Sequence, residues 1–343
     1  MKDRIPYIDL AKGICISIVM IFHIRGINPN TYSLSPILFS ACMLPPFYFI
    51  SGYFFKEGRS WRIFFYKKVN RLAVPFVFFY LTTAVLIPNL LHYMVGMQFE
   101  TVTGWPSLWA FIHPGEYPNI PIWFLWCLFV MNILFYAILS LANLLTGRNR
   151  QAAIVFLCIG CAFLGVCAEK HFGTDIANLF EALKNMPFFG FGFLSGQKDA
   201  FSILTTASTT KKIVLMIASF CFASLSCWSI DANHVWQTLL LYHTSGLAGS
   251  FLILSISALL IRLPLISYIG KYSIILVLTH GLMVRMGYPF FLNISAFVGP
   301  YISIMLFWTI MALSYLVIIP FTLRHLPHVS GQVPLFGKLP NGY

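Results

Sequence analysis

Long apolar segments, separated by short polar ones, run through almost the whole chain. Ten of them have about the length that a helix needs to cross a hydrocarbon core. These segments lie near residues 7–24, 36–55, 70–91, 122–143, 151–168, 187–199, 212–230, 237–261, 264–284 and 299–322. The sixth is the shortest and is rich in Gly and Phe. The pattern predicts an all-α protein, a polytopic membrane bundle of about ten transmembrane helices.

Composition agrees with the pattern, since hydrophobic residues make up 59% of the 343 residues and charged residues only 9%. A soluble domain of this size could not cover so much apolar surface. We expect residues 1–343 to form a single integral-membrane domain with a polar tail from about 323. The first segment is expected to be a retained span, because polar side chains interrupt it and no small-residue cleavage site follows.

Basic residues lie mainly on one side of the predicted bundle. With the N-terminus placed inside, 18 of the 22 Lys and Arg are cytoplasmic, and only Arg25, Lys170, Lys184 and Arg285 lie outside. This excess of inside charge predicts that both termini are cytoplasmic. The net charge of +12 therefore reflects membrane topology, and we expect no nucleic-acid partner.

The first span carries three ionisable side chains, Asp9, Lys12 and His23. At roughly 100° per residue, all three lie within about 60° of one another on one helical face. Ionisable groups at membrane depth are costly unless they face protein or water, so an aligned set indicates a functional site.

His23 lies roughly 16 Å further through the membrane than Lys12, which is near one surface. Imidazole suits this position because it can stay neutral when buried and still accept a proton near neutral pH. The alternative is a histidine that packs between helices and bonds a backbone carbonyl. The two charged residues on the same face favour the functional interpretation.

A second candidate site is the basic segment between the second and third spans. Lys68 and Arg71 are three residues apart, so they are expected to share a face near Asp9 and Lys12. Arg62 and Lys67 add to this cluster, which could hold a phosphorylated ligand. The alternative, which charge alone favours, is an anchor that touches lipid head groups.

Other polar residues in the spans are expected to serve packing. Ser51 and Gly52 would allow two helices to approach closely. His243 and His280 are each expected to be satisfied core residues. Cys158 and Cys161 form a CxxC pair without a second pair or a nearby His, so we expect no metal site.

Aromatic residues with polar neighbours occur in the longest predicted outer segment, about 92–121. Such residues are typical of sugar-stacking surfaces and also of the ordinary interfacial belt, and the sequence leaves both interpretations open.

Five motifs follow one another along the chain: Tyr7-Ile-Asp-Leu-Ala-Lys-Gly…His23, Phe47-Tyr-Phe-Ile-Ser-Gly-Tyr53, Lys68-Val-Asn-Arg71-Leu-Ala-Val-Pro75, Trp123-Phe-Leu and Gly270-Lys-Tyr-Ser…His280. Taken in this order, they resemble the acyltransferase-3 family, and within it the branch of fucose 4-O-acetylases. The resemblance implies a ten-span inner-membrane enzyme. Such enzymes move an acyl group, usually acetyl from acetyl-CoA, to a hydroxyl of a glycan or lipid-linked sugar.

The resemblance also assigns candidate residues. Lys12 and His23 match the family's pattern of a basic residue, ten residues and then His, and the basic pair of the third span falls on Lys68 and Arg71. Lys replaces Arg at the first position of both motifs and lacks its bidentate fork. We hypothesise that Asp9 joins Lys12 and His23 in the catalytic set. We also hypothesise that Lys67 and Arg62 join Lys68 and Arg71 in binding the donor.

On this basis acetyl-CoA is expected to approach from the cytoplasm and the acceptor from the other side, with His23 as general base. A covalent acetyl-His intermediate stays open, as do succinyl or longer acyl groups. The expected partners are the acyl-CoA, a glycan acceptor and membrane lipids. The sequence also leaves open a transporter or flippase for a polysaccharide precursor, or a structural membrane partner without chemistry.

Overall fold

A computed structural model describes residues 5–24, 36–58, 60–96, 104–113, 119–229 and 234–336. Regular structure in these ranges is helical throughout, without a β-strand. The described residues do not include Lys2, Arg4, Arg25, Arg59 and Lys338, which entered the count of charges by side. They also omit parts of the outer segment 92–121.

The chain forms seventeen α-helices within the described ranges. In order, they are α1 (Pro6–Ile24), α2 (Pro45–Tyr53), α3 (Trp61–Lys68), α4 (Val74–Phe79), α5 (Ile87–Val95), α6 (Pro106–Trp109), α7 (Trp123–Ala142), α8 (Gly147–Phe172), α9 (Leu179–Lys184), α10 (Met186–Gln197), α11 (Ala200–Thr206), α12 (Thr209–Ala223), α13 (Ser226–Ser229), α14 (Val235–Leu260), α15 (Pro264–Lys271), α16 (Ser273–Val298) and α17 (Pro300–His325). Three π-helical segments, Pro36–Ala41, Val69–Ala73 and Tyr80–Leu86, widen the second and third spans.

Eight helical segments of the described chain are long and apolar enough to cross a membrane, and a bent pair of helices adds a ninth. Apolar side chains such as Phe163 of α8, Ile217 of α12 and Val317 of α17 are exposed on the outside of the bundle. Lipid chains cover such surfaces favourably, as in other helical membrane proteins. The prediction of an all-α, polytopic membrane protein is confirmed.

The sixth predicted span is short, as the sequence indicated, and cannot cross the membrane as a single straight helix. Helix α10 has 12 residues, about 18 Å, whereas a hydrocarbon core is about 30 Å thick. Lys184, just before it, pairs with Glu169 near the end of α8, and Gly190 packs against Cys158 in the middle of α8. Gly196 then meets the last residue of α2. The segment therefore runs antiparallel to α8 and returns the chain to the end of the bundle where α2 stops.

Glycines let α2 and α10 touch backbone to backbone. A Cβ added to Gly52 would lie 1.9 Å from the carbonyl oxygen of Phe189, and one added to Gly192 would lie 2.0 Å from that of Phe49. Both distances are far below van der Waals contact, so no side chain fits at either position. The expected role of Gly52 in close helix approach is confirmed.

The ninth predicted span, 264–284, is broken and not continuous. Helices α15 and α16 meet at Tyr272 at an angle of 94°. The break follows Gly270, a weak helix former that lies directly on the backbone of α1. The bend lets α15 cross the beginning of α1 while α16 continues through the bundle.

The two described ends of the chain lie at the same end of the bundle. The hydroxyl of Tyr7 in α1 donates to the carbonyl of Phe201, 2.9 Å away, close to the end of α2, since Tyr53 stacks on the Phe201 ring. After α17 the polar segment 326–336 folds back onto the third span, where the hydroxyl of Tyr66 donates to the carbonyl of Phe336. We call this the inner end, following the predicted distribution of charge.

Candidate active site

Two lysines from different spans meet the same turn at the inner end. The ammonium of Lys12 lies 5.8 Å from the ring centroid of Phe54. That of Lys68 lies 5.5 Å from the ring of Phe55 and 5.7 Å from that of Phe64. Aromatic faces attract cations at these distances. The structure thus brings the predicted cations of the first and third spans to adjacent residues.

The other predicted donor-binding residues are more open. Arg62 and Arg71 are exposed, while Lys67 and Lys68 are half-buried. Arg71 lies in the π-helical segment Val69–Ala73. A π-helix has more residues per turn than an α-helix, so residues three positions apart no longer lie on the same face. Lys68 therefore packs on aromatic rings while Arg71 is exposed, although an α-helix would place them on one face.

The C-terminal segment covers part of this basic face. The side-chain oxygen of Asn70 accepts hydrogen bonds from the backbone N–H groups of Leu335, at 2.8 Å, and Phe336, at 3.0 Å. Its amide nitrogen donates to the carbonyl of Tyr66, 3.0 Å away. Asn70 stands between Lys68 and Arg71, so segment 326–336 lies beside both cations.

Asp9 lies where α1 meets the broken helix. A Cβ on Gly270 would be 1.9 Å from the carbonyl oxygen of Asp9 and 2.4 Å from the nitrogen of Gly13. The half-buried Asp9 side chain is therefore held at the level of Lys12 by a backbone contact with α15.

A carboxylate that the sequence analysis missed also lies at the inner end. Tyr53 donates to Asp199 at 2.7 Å, and the ring of Tyr53 stacks on that of Phe201 with centroids 3.6 Å apart. The ring of Phe201 also contacts Phe54, which carries Lys12 on its face. The signal for Asp199 was its place after the short sixth span, at the predicted inner surface.

The deeper part of the site is a pair of histidines. The ring of His23 on α1 lies 5.4 Å from the ring of His280 on α16, with the planes inclined at 54°. His23 is half-buried and His280 has no exposed surface. Any ligand approaching from an accessible side therefore meets His23 first, with His280 behind it.

The hydrogen bond of His280 defines its tautomer. Its Nδ1 lies 2.6 Å from the carbonyl oxygen of Leu276. Because a carbonyl only accepts, Nδ1 carries the hydrogen and the neutral ring has its lone pair on Nε2. This Nε2 is buried and has no hydrogen-bond partner among the described residues. His280 is therefore not the satisfied core residue expected from the sequence, and that expectation is wrong.

The buried side-chain amide of Asn119 contacts α16 on either side of His280, at Leu278 and at Gly281. Asn119, just before the fourth span, donates to the carbonyl of Leu278 at 2.9 Å and to the hydroxyl of Thr83 at 2.6 Å. Its side-chain oxygen faces Gly281, where an added Cβ would lie 2.3 Å away. This oxygen has no hydrogen-bond donor among the residues described. Asn119 was not predicted, since a single Asn in a loop gives no sequence signal.

Asn119 connects this region with the outer aromatic segment. Thr83, which binds Asn119, is one turn away from Tyr80, whose hydroxyl donates to the carbonyl of Ser107 in α6 at 2.6 Å. Trp105 and Trp109, which flank Ser107, are 81% and 69% exposed. The exposed rings therefore lie near the outer approach to the histidine pair.

His243 shows how a structural histidine differs from this pair. Its Nδ1 and Nε2 lie 2.8 Å from the carbonyl oxygens of Leu239 and Lys184, respectively. Both partners are carbonyls, which only accept, so the neutral ring donates its single N–H to one of them and packs its other nitrogen against the second. His243 thus packs between helices against backbone, as expected for a core residue.

Charged residues at the outer end form a separate structural cluster. Lys184 pairs with Glu181 at 2.6 Å and with Glu169 at 3.1 Å. Burial opposes a charge on Lys184, but the two carboxylates outweigh it and raise its pKa. Asp175 accepts the N–H groups of Phe180 and Glu181; burial raises its pKa, which these bonds partly counteract. The cluster fixes α9 against α8, away from the histidine pair.

No group of three or more His, Cys, Asp or Glu within the described ranges is placed to hold a metal ion. Cys158, one member of the CxxC pair, instead packs with its sulfur against Gly190.

The site therefore has two levels, cations and Asp9 at the inner end and an imidazole pair deeper in the bundle. Ionisable groups at these depths are typical of polytopic membrane proteins that carry a functional site within the membrane.

Comparison with protein families identifies the class further. The family model of the acyltransferase domain, acyltransferase-3, matches residues 5–323. The chain belongs to the acyltransferase-3 family and is a membrane acyltransferase, which decides against the transporter and the structural partner. Comparison with curated proteins and with solved structures gives no match.

Proposed function

We propose that this enzyme transfers an acetyl group from acetyl-CoA to a sugar hydroxyl of a surface or exported glycan or of a lipid-linked sugar. We infer from the resemblance of its motifs that it belongs with the branch that resembles fucose 4-O-acetylases and that it acts in the cytoplasmic membrane of a bacterium. The observation that carries the proposal is the His23–His280 pair, with the Nε2 lone pair of His280 and the oxygen of Asn119 both without donors among the described residues. Two buried acceptors suit a ligand rich in hydroxyl groups, because each hydroxyl supplies a donor.

The donor end is the inner cationic level. Lys68 and Arg71, with Lys67 and Arg62 beside them, would bind the phosphates of CoA. Lys12 and Asp9 lie between this level and His23, so the pantetheine arm would follow the polar face of α1. The roughly 16 Å from Lys12 to His23 corresponds to about eleven helical residues, and an extended chain can cover it.

The acceptor would approach from the outer end, past the exposed Trp105 and Trp109. Aromatic faces stack on the apolar faces of sugar rings, and Asn119 stands between these rings and the histidine pair. Donor and acceptor thus meet at His23 from opposite sides.

In the transfer step the acceptor oxygen attacks the thioester carbonyl carbon, and the bond from that carbon to sulfur breaks. The imidazole of His23 takes the hydroxyl proton as general base and then returns it to the CoA thiolate that leaves. Behind His23, Nε2 of His280 accepts a hydrogen bond from a second hydroxyl of the sugar and so holds the acceptor beside His23. Two adjacent imidazoles in a buried site do not both hold a positive charge, so the pair provides room for one proton.

The test is a strain lacking the gene, complemented with wild type, His23→Ala, His280→Asn or His325→Ala at equal membrane abundance. The measured quantity is base-labile O-acetyl on the surface glycans. Loss of a general base costs about 10²–10⁴ in rate, so His23→Ala should leave only background acetylation. His325 is exposed at the end of α17, and His325→Ala should behave as wild type.

His280→Asn retains an N–H for the carbonyl of Leu276 but removes Nε2. We expect this variant to fold normally and to release CoA from acetyl-CoA slowly. The dependence of this release rate on pH should be displaced from that of wild type. At equal membrane abundance, a purely structural His280 would leave the pH profile of CoA release where it is in wild type. Full acetylation by His23→Ala would contradict the proposed mechanism.

A further inference from the structure

A cavity of about 220 Å³ opens at the inner end of α11, α12 and α14, apart from the histidine pair. Apolar side chains line it, with Lys211 as the single charged residue. The lining includes Phe49, Phe201, Leu215, Phe251 and Leu254. The cavity exceeds the about 150 Å³ that holds a benzene-sized molecule in a protein core. It therefore has room for a short stretch of hydrocarbon chain and not for a whole lipid.

The rim of this cavity is basic. Lys211 is exposed in the first turn of α12, and no carboxylate of the described residues lies within ion-pair distance of it. Its neighbour Lys212 is already committed to backbone, because its ammonium donates to the carbonyls of Thr205 at 3.2 Å and Ala258 at 3.4 Å. The exposed Arg262 follows the end of α14. The sequence has no Asp or Glu in residues 200–229 or 234–270.

Position in the bundle adds a second argument. The α12 residues Val214 and Ile217 are exposed and face the region where lipid chains lie. Lys211 and Leu215, one turn apart on the same helix, border the cavity. A molecule that is apolar at one end and anionic at the other would thus enter sideways from the membrane and leave its charge beside Lys211.

We propose that this cavity binds part of one acyl chain of an anionic phospholipid, with the phosphate of the head group held by Lys211 and the first turn of α12. Phosphate is favoured there, because Lys211 supplies a full positive charge at the start of α12, where the helix dipole also favours an anion. The backbone N–H of Lys211 itself donates to the hydroxyl of Ser208, 3.4 Å away, so the ammonium group is the main contact.

The cavity shares a wall with the inner level of the active site. Phe201 lines the cavity and stacks on Tyr53, which binds Asp199. A chain in the cavity fills the space behind the Phe201 ring. The bound lipid would thereby hold this aromatic stack in place at the inner end.

The test uses the purified full-length protein in phosphatidylcholine vesicles that contain a minor fraction of phosphatidylglycerol with a diazirine at the end of one acyl chain. After irradiation, mass spectrometry locates the labelled peptides. We expect labelling within residues 200–215, and much less with a phosphatidylcholine carrying the same diazirine. The exposed face of α17 contacts lipid everywhere, so its labelling serves as the internal standard for folding in each variant.

Two variants separate the chain from the head group. Ala207 lines the cavity, so Ala207→Trp should abolish labelling of residues 200–215 by filling the space. Lys211→Ala should reduce it about five-fold, the factor expected for one interfacial lysine near an anionic head group. Lys56→Ala, which removes an exposed inner lysine elsewhere, should leave the labelling unchanged.

Equal labelling by the two lipids, or unchanged labelling in Ala207→Trp, would overturn the proposal. So would stronger competition by a polyprenyl phosphate than by unlabelled phosphatidylglycerol, because the occupant would then be a lipid-linked precursor. Cross-linking between two copies through α11 in place of lipid labelling would show a protein interface, again against the proposal.

Discussion

Replacing Gly270 by Ala tests the contact between α1 and the broken helix. The added Cβ would lie 1.9 Å from the carbonyl oxygen of Asp9, whereas ordinary contact begins at 3.4 Å. Both sides of the contact are backbone, so no side chain can rotate away. The helices would have to separate by about 1.5 Å, the difference between these distances, beside Asp9 and Lys12.

The cost follows from two opposing effects. Overpacking costs about 1–3 kcal/mol, and replacing Gly by Ala in a helix returns about 0.5–1 kcal/mol. At the middle of these ranges the net loss is about 1 kcal/mol, which corresponds to a melting temperature about 2–4 °C lower. A displacement above about 1 Å near a site can also cost about 10²-fold in activity, so acyl transfer should fall more than stability does.

The assay follows a fluorogenic maleimide that reacts as heating exposes the buried thiols of Cys15, Cys42, Cys127 and Cys158. Gly160→Ala is the matched control, since a Cβ on this helical glycine meets nothing within 4 Å. It should melt at or slightly above the wild-type temperature. If Gly270→Ala melts no lower than Gly160→Ala and retains full activity, the contact between α1 and α15 does not have the described geometry.

Two further predictions concern the ends of the bundle. Asn70→Leu removes the acceptor that holds segment 326–336, so a protease should cut this segment faster. The expected increase is about ten-fold, which corresponds to about 1.4 kcal/mol of lost hydrogen bonding. Unchanged cleavage would show that other contacts hold the segment. Lys184→Met leaves Glu169 and Glu181 without their cation and should cost about 2 kcal/mol, between the values for exposed and buried pairs. The pKa of Lys184 is raised in the folded protein, so the ion pairs stabilise the fold fully below the pKa of lysine in the unfolded chain, about 10.4, and this stabilisation is lost only at higher pH. The decrease in melting temperature caused by Lys184→Met should therefore be the same at about pH 7 and about pH 9.

The spans could be predicted from sequence because a helix in a membrane is determined locally, by length and hydropathy. The stripe of Asp9, Lys12 and His23 also follows from one helical period, and the structure places Lys12 and Lys68 at adjacent rings. The role of Gly52 was predictable because a small residue inside a membrane span usually allows a neighbouring helix to approach closely. Each of these inferences needs only neighbours within a few turns.

The missed features depend on contacts between distant parts of the chain. A lone His280 in an apolar run looks like a core residue until α16 is placed beside α1 and His23. The break at Tyr272 follows from the close backbone contact between Gly270 and α1, and the sequence has no proline at this position that would predict it. Asn119 and Asn70 form hydrogen bonds with backbone groups far along the chain, and the local sequence pattern does not reveal such partners.

The hydrogen bond from Leu335 to Asn70 joins residues 265 positions apart, and this separation has a consequence for biosynthesis. At about 5–20 residues per second, Asn70 leaves the ribosome roughly 13–53 s before its partner is made. During this interval the third span is present in the membrane without the segment that covers its basic face. The basic face of the third span is therefore covered only after residue 335 has been made, and nascent chains that stop before this residue have an uncovered basic face.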